Sequence, residues 1–205
     1  MSEQYHLAEL KVALDPNHPS HLLPPPVPRT DRVLDVGCGA GQTLIAAYPD
    51  RITFGLDPDP AALTLGRTLT DRVCFVCGKA EALPYGSGQF DMVVARVSLT
   101  YANISASLRE VQRVLKKGGT LWMVLHPFSI PWTQAKGSNY KGRIFFGYIL
   151  LNSILFHFVQ KQFSFLGRYE SFQTVKGISR ALRRSGFGDI TIERREHFVV
   201  TARAR

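Results

Sequence analysis

The run VLDVGCGAGQT, Val33 to Thr43, constrains this chain more than any other stretch. A short, continuous apolar segment that stops at glycine suits a central strand buried on both faces. Gly37, Gly39 and Gly41 follow at alternate positions, whereas the dinucleotide pattern G-x-G-x-x-G needs a glycine at position 42, where Gln42 stands. Glycines at the mouth of a buried strand let the backbone approach a ligand closely, and the following helix offers N–H groups to an anion. With the third glycine one place early, the turn is tighter and suits a single carboxylate better than a bulky pyrophosphate. Asp57 closes the next strand, twenty residues after Gly37. An acid there can accept hydrogen bonds from both hydroxyls of a ribose. A turn or cap aspartate before Pro58 is the plainer alternative.

Apolar strands and helical stretches alternate after this point. RVLDV, ITFGLD, VCFVC, FDMVVA and TLWMVL read as five strands. Between them lie Gln42 to Tyr48, then DPAALTLGRTL, where Asp59 can cap and Pro60 takes the first helical position. In SLREVQRVLKKGG, Ser107 and Glu110 have capping-box spacing, and Leu108, Val111, Val114 and Leu115 form one apolar face. Gly118 is placed to end that helix. Strand and helix in this order predict a parallel sheet wrapped by right-handed crossovers. A helix then carries Val175, Ile178 and Leu182 on one side. ITIE and HFVVTA, which follow it, are too close for a crossover helix and must pair as an antiparallel hairpin. The expected class is α/β: a Rossmann-like, doubly wound sheet, mostly parallel, with a C-terminal antiparallel hairpin.

With 205 residues, 45% of them apolar, the chain suits a single domain over 1–205 carrying a modest insertion. Residues 1–30 form a proline-rich lead-in, expected to be extended or turning, and the domain proper is expected to start near Asp31. Its start lacks a basic stretch followed by an apolar one, so a cytoplasmic location is expected. Cys74 and Cys77 lie three apart in VCFVC, on opposite faces of a strand, and read as buried thiols; no metal site is expected. His18 and His21 in the lead-in read as solvent-exposed. Net charge is +9, and residues 161–205 hold ten Lys/Arg against four acids. A solvated helix face accounts for that surplus, and nonspecific attraction to anions is all it licenses.

The segment 128–170 stands outside the alternation, as a helical lid insertion after the fifth strand. It contains IFFGYILLNSILFHFV, sixteen residues without a charge. Asn152, Ser153, His157 and Gln160 share one sector of its helical wheel, leaving the opposite face to Phe145, Ile149 and Phe156. The reading is an amphipathic helix lying over the domain. Its polar stripe has no Lys or Arg, which counts against peripheral membrane contact. A homodimer stays open.

VLDVGCGAGQT, GLDPDPAAL, GKAEALPY, FDMVVARVSL and LREVQRVLKKGGTLWMVL, taken in order, resemble the successive motifs of class I S-adenosylmethionine-dependent methyltransferases, in particular the small-molecule, quinone-methyltransferase-like type. The resemblance runs from about Arg32 to Leu125 and implies a seven-stranded sheet with one antiparallel strand. It implies S-adenosyl-L-methionine as cofactor, with Asp35 among the residues that bind it, Gly37 and Gly39 lining its methionine portion and Cys38 touching it through backbone. Asp57 would bind the ribose, Pro58 would flank the adenine, and Ala80 would read a ring nitrogen through its N–H. Lys79 stands where the family often has an acid or amide, and an ammonium cannot accept the adenine amino group's bond. Arg96 stands where a small residue is usual near the methionine. Beside a sulfonium, an arginine must turn outward, which is the arrangement expected, or face an anionic acceptor.

Methyl transfer needs an acceptor held in line, water kept out, and a base for the acceptor's proton. His126, directly after the fifth strand, is the leading candidate base, followed by Tyr101 and by His157 on the lid; each could equally be a packed structural residue. A small acceptor with hydrophobic surface suits the lid. The chain has neither a proline-aromatic turn for gripping a flipped base nor a Pro-Cys pair, which leaves a nucleic-acid substrate resting on charge alone. Two other classes stay open. Gln42 and the hairpin count against a nicotinamide-linked reductase, whereas Lys79 and Arg96 favour a noncatalytic cofactor-binding or interaction module.

Overall fold

The computed structural model describes residues 2–125, 140–165, 169–194 and 197–205. Seven strands form one sheet: β1 (Val33–Val36), β2 (Thr53–Asp57), β3 (Val73–Cys77), β4 (Phe90–Arg96), β5 (Leu115–Leu125), β6 (Phe187–Arg194) and β7 (Phe198–Ala204). Their spatial order is β3-β2-β1-β4-β5-β7-β6. Neighbours from β3 to β5 pair in parallel, and β7 runs antiparallel to both β5 and β6. The chain order reverses between β1 and β4, which opens a crevice at the carboxyl edge, where such sheets bind ligands. All four residues of β1 are buried, as a central strand requires.

Six described helices cover the sheet: α1 (Glu3–Leu14), α2 (Gln42–Ala47), α3 (Pro60–Leu69), α4 (Ile104–Val114), α5 (Tyr140–Val159) and α6 (Val175–Arg184). One face of the sheet packs Leu34, Val36, Val93 and Met123 with Leu108 and Val111 of α4, Phe156 of α5 and Ile178 and Leu182 of α6. The other packs Val33, Val94 and Trp122 with Leu44 and Leu63 of α2 and α3. Asp59 caps α3 by accepting from Ala61 N–H at 3.0 Å, with Pro60 first in the helix.

Several local expectations are overturned. Asn103 caps α4, accepting from Ala106 N–H at 3.1 Å; Ser107 lies inside the helix and donates to the Asn103 carbonyl instead. Glu110 accepts from Leu83 N–H at 2.8 Å and pairs with Arg113, so it is unavailable to close a box. Gly118 falls within β5 and ends no helix. Cys74 and Cys77 are exposed, because β3 is an edge strand with β2 as its one partner in the sheet. The lead-in is not wholly extended: residues 3–14 form α1, capped by Ser2, with His6 and Ala13 buried against the domain.

The lid helix keeps Ile149 and Phe156 inward as expected, but its polar sector is buried beside them instead of facing out. Asn152, Ser153 and Gln160 are buried, while Leu151, Ile154 and Phe158 face solvent. The loop that follows α5 supplies the reason, since its backbone needs partners. Asn152 accepts from Phe163 N–H at 3.0 Å and donates to the Phe163 and Glu170 carbonyls, and Ser153 Oγ accepts from Phe172 N–H at 2.8 Å.

Candidate cofactor site

Three glycines with positive φ shape the turn after β1: Gly37 at 80°, Gly39 at 55° and Gly41 at 85°. Gly37 and Cys38 both donate to the Leu56 carbonyl, tying the turn to β2. A Cβ on Gly37 would sit inside the Ser98 side chain, whose Oγ donates to the Val36 carbonyl. Glycine is therefore demanded there twice, by conformation and by the closeness of the segment leaving β4. The preceding residue of that segment, Val97, holds φ at 62°, a conformation that costs a β-branched residue energy and that clusters at ligand sites.

Asp57 is buried and wired to this turn. One carboxylate oxygen accepts from Gly39 N–H at 2.8 Å and the other from Asp59 N–H at 2.9 Å. Each oxygen keeps a further lone pair for a hydroxyl. Asp57 is thus set in place by the same glycine turn that opens the crevice, and the plain turn-aspartate role and the ribose role coexist. Asp35, one strand over, is fully buried, and its Oδ1 has no hydrogen-bond partner among the described residues. Burial raises its carboxyl to about 7, with Arg96 pulling the value down and Asp57 pushing it up.

Helix α1 roofs the turn. Gln42 Nε2 meets His6 Nδ1 at 2.9 Å, and a Cβ on Gly39 would come within 3.0 Å of the same ring nitrogen. The residue standing in the place of the third fingerprint glycine is therefore the clasp for an N-terminal helix. The other ring nitrogen, His6 Nε2, is buried and has no hydrogen-bond partner among the described residues. Glu9 of the same helix pairs with Arg96 at the end of β4. Arg96 accordingly turns inward beneath α1, not outward as expected, and Glu9 neutralises the charge that would oppose a sulfonium. His6, Glu9 and Ser98 are site residues that sequence reasoning missed. Helical spacing in EQYHLAEL puts His6 and Glu9 three apart on one face, the one available signal.

The remaining residues divide. Cys38 points its thiol at Gly55, and burial holds the thiol well above its ordinary value. Its N–H goes to Leu56 and its carbonyl accepts from Gly41 N–H at 2.9 Å, so both its backbone groups already serve the turn. Pro58 is exposed beside Asp57, Ala80 is half-buried, and Lys79 is exposed with its carbonyl accepting from Ala82 N–H. Tyr101 ends a single 3-10 turn (Leu99–Tyr101) after β4 and is half exposed. His157 Nδ1 meets Thr174 Oγ1 at 2.5 Å, and Thr174 caps α6; His157 thereby joins α5 to α6. His126 lies outside the described residues.

The geometry fits S-adenosylmethionine. Asp57 keeps acceptor lone pairs beside the glycine turn, as a ribose would need, and the buried Asp35 has one oxygen, Oδ1, without a hydrogen-bond partner among the described residues, as a cationic methionine end would need. The short α2 supplies no separate anion site.

Residues 34–123 match the family model described as a methyltransferase domain. An uncharacterized methyltransferase of Synechocystis sp. is 39% identical over 97 residues, which cover 45% of this chain and 46% of the relative. Demethylmenaquinone methyltransferase of Roseiflexus castenholzii is 33% identical over 100 residues, covering 46% of this chain and 42% of the relative. The chain thus aligns with less than half the length of these relatives. Among solved structures, YcgJ of Bacillus subtilis superposes with a TM-score of 0.62 at 15% identity, covering 98% of this chain and 99% of the other. Its likeness is one of fold. Motif order, sheet order and family match agree: residues 34–123 match the methyltransferase-domain family model, and the chain as a whole shares the fold of YcgJ.

Proposed function

We propose that this chain transfers a methyl group from S-adenosylmethionine to a small, partly hydrophobic acceptor by in-line displacement. The observation that carries the reading is Asp57, buried and bonded at 2.8 Å to the glycine turn while keeping lone pairs free toward the crevice. Bound there, the cofactor supplies a methyl carbon already activated by its sulfonium. The chain's part would be to hold an acceptor's lone pair in line with that methyl group and to leave the acceptor's proton a path to a base or to water.

The chain's own contribution is placement and electrostatics. Asp57 would hold the ribose, Gly37 and Gly39 would let the backbone close on the methionine end, Pro58 would flank the adenine, and the Ala80 N–H would read its ring nitrogen. Asp35 would face the cationic end, and the Glu9–Arg96 pair removes the opposing charge. Tyr101 and His157 stand as candidate bases, with His126 the third. For His157 to serve, its Nε2 must act, since Nδ1 is committed to Thr174. Hydrophobicity of the acceptor is supported by the demethylmenaquinone methyltransferase among the relatives. The apolar α5 ends beside the N-terminal end of α6, where His157 meets Thr174, and the residues just after it, Gln160 and Gln162, bond to Ser105 and Ile104 at the N-terminal end of α4.

Calorimetry with S-adenosylmethionine, its demethylated product and NADH tests the reading. Binding of the first two alone, lost in Asp57→Ala, is the expected result. Binding of NADH, or of none of them, would refute it.

A further inference from the structure

Ile144, Leu151, Ile154 and Phe158 of α5 are 51%, 48%, 47% and 68% exposed. Spacings of seven, three and four place them on one stripe, as a helix face built to contact something. The helix cannot roll to hide that stripe. Asn152 and Ser153 bind the loop beneath it, Phe156 is buried in the core, and Arg180 of α6 donates to the His157 and Phe158 carbonyls at 2.8 and 3.2 Å. Gly142–Val159 has the length and composition of a bilayer span. These bonds nevertheless hold it lengthwise along the domain.

α5 itself carries no acid, and the exposed charges at the two ends of the stripe are cations. No Asp or Glu occurs between Glu110 and Glu170. Exposed Arg143 stands at one end of the helix, with exposed Lys161 and Lys176 at the other. Packing two copies stripe to stripe would bring these cations together in either orientation, with no acid on the helix to offset them. An anionic lipid surface suits both features, taking apolar side chains into its acyl boundary and cations among its headgroups.

We propose that this face of α5 docks flat on an anionic lipid bilayer. The sequence argument against membrane contact fails because it placed the polar stripe outward; the outward stripe is apolar and its cations sit at the ends. The proposal stands apart from methyl transfer, and its experiment reads no catalysis.

Flotation of the full chain with phosphatidylcholine vesicles, with and without phosphatidylglycerol, tests it. Binding to the anionic vesicles alone is expected, weakened by salt. Replacing Leu151, Ile154 and Phe158 with Gln should lower partitioning roughly tenfold or more. The double change Arg143→Glu and Lys161→Glu should lower it as well and remove the salt dependence. Both variants should keep the wild-type thermal unfolding, since all five side chains are exposed. The proposal is overturned by failure to bind either vesicle, or by release with detergent alone, as a spanning helix requires. A concentration-dependent dimer in sedimentation that the Gln variant abolishes overturns it too.

Discussion

Helices α1 and α5 both cover the carboxyl edge of the sheet, and they are held there by opposite means. In α1 the buried residues are few, His6 and Ala13, and the helix is fastened by two long-range polar contacts, His6 to Gln42 and Glu9 to Arg96. α5 is apolar nearly all round, yet polar side chains fix its orientation, because Asn152 and Ser153 supply hydrogen bonds to the backbone of Phe163, Glu170 and Phe172. Amphipathic pattern tells how many faces a helix has. Which face turns inward depends on what the neighbouring backbone needs.

The comparison is broken most forcefully within α5. Phe156 is fully buried and Phe158, two residues on, is 68% exposed. Phe156→Ala should cost about 3–5 kcal/mol in urea unfolding and Phe158→Ala no more than about 0.5 kcal/mol. Equal losses would mean that the helix faces the other way.

On the α1 side, Asp35 gives the next effect. Its carboxyl holds a proton more tightly folded, at about 7, than at its ordinary 3.8. The stability it contributes is therefore complete below about 3.8 and lost as pH rises through about 7. Asp35→Asn should flatten that fall and leave the protein about 2 kcal/mol more stable at pH 8, while weakening S-adenosylmethionine binding about tenfold or more. In the wild type, affinity for the cation should decline as pH drops below about 7. An unchanged urea midpoint at pH 8 in the variant would assign the titration elsewhere.

The smallest effect sharpens how α1 is fastened. The Glu9 and Arg96 side chains are 32% and 18% exposed, so Glu9→Gln should cost about 1 kcal/mol or less of stability. Cofactor affinity should fall several-fold, because Arg96 is left unneutralised beside the sulfonium site. Adding Arg96→Met should restore it, and a double-mutant cycle by calorimetry reads that coupling. Simple additivity would detach the pair from the site.

The parallel core was legible because each of β1 to β5 carries its own apolar run, and Asp59 with Pro60 marks a helix start in two residues. The hairpin followed from chain length alone. The glycine turn and Asp57 were legible too, since strand-end glycines and an acid at fixed distance are local features. What escaped was tertiary. Glu9 meets Arg96 across 87 residues, and no local pattern announces the partner. Cys74 and Cys77 read as buried until the sheet order puts β3 at an edge. Ser107 lost the cap of α4 to Asn103, four residues earlier, because both are good capping types and local sequence does not rank them.

The position of β7 has a consequence for the birth of the molecule. It lies between β5 and β6, yet it is the last of the seven to leave the ribosome. From the end of β5 at Leu125 to the start of β7 at Phe198, the nascent chain carries an unzipped, strongly apolar ladder edge. At about 5–20 residues per second that interval lasts several seconds, long enough for a chaperone or a neighbouring polysome to find it.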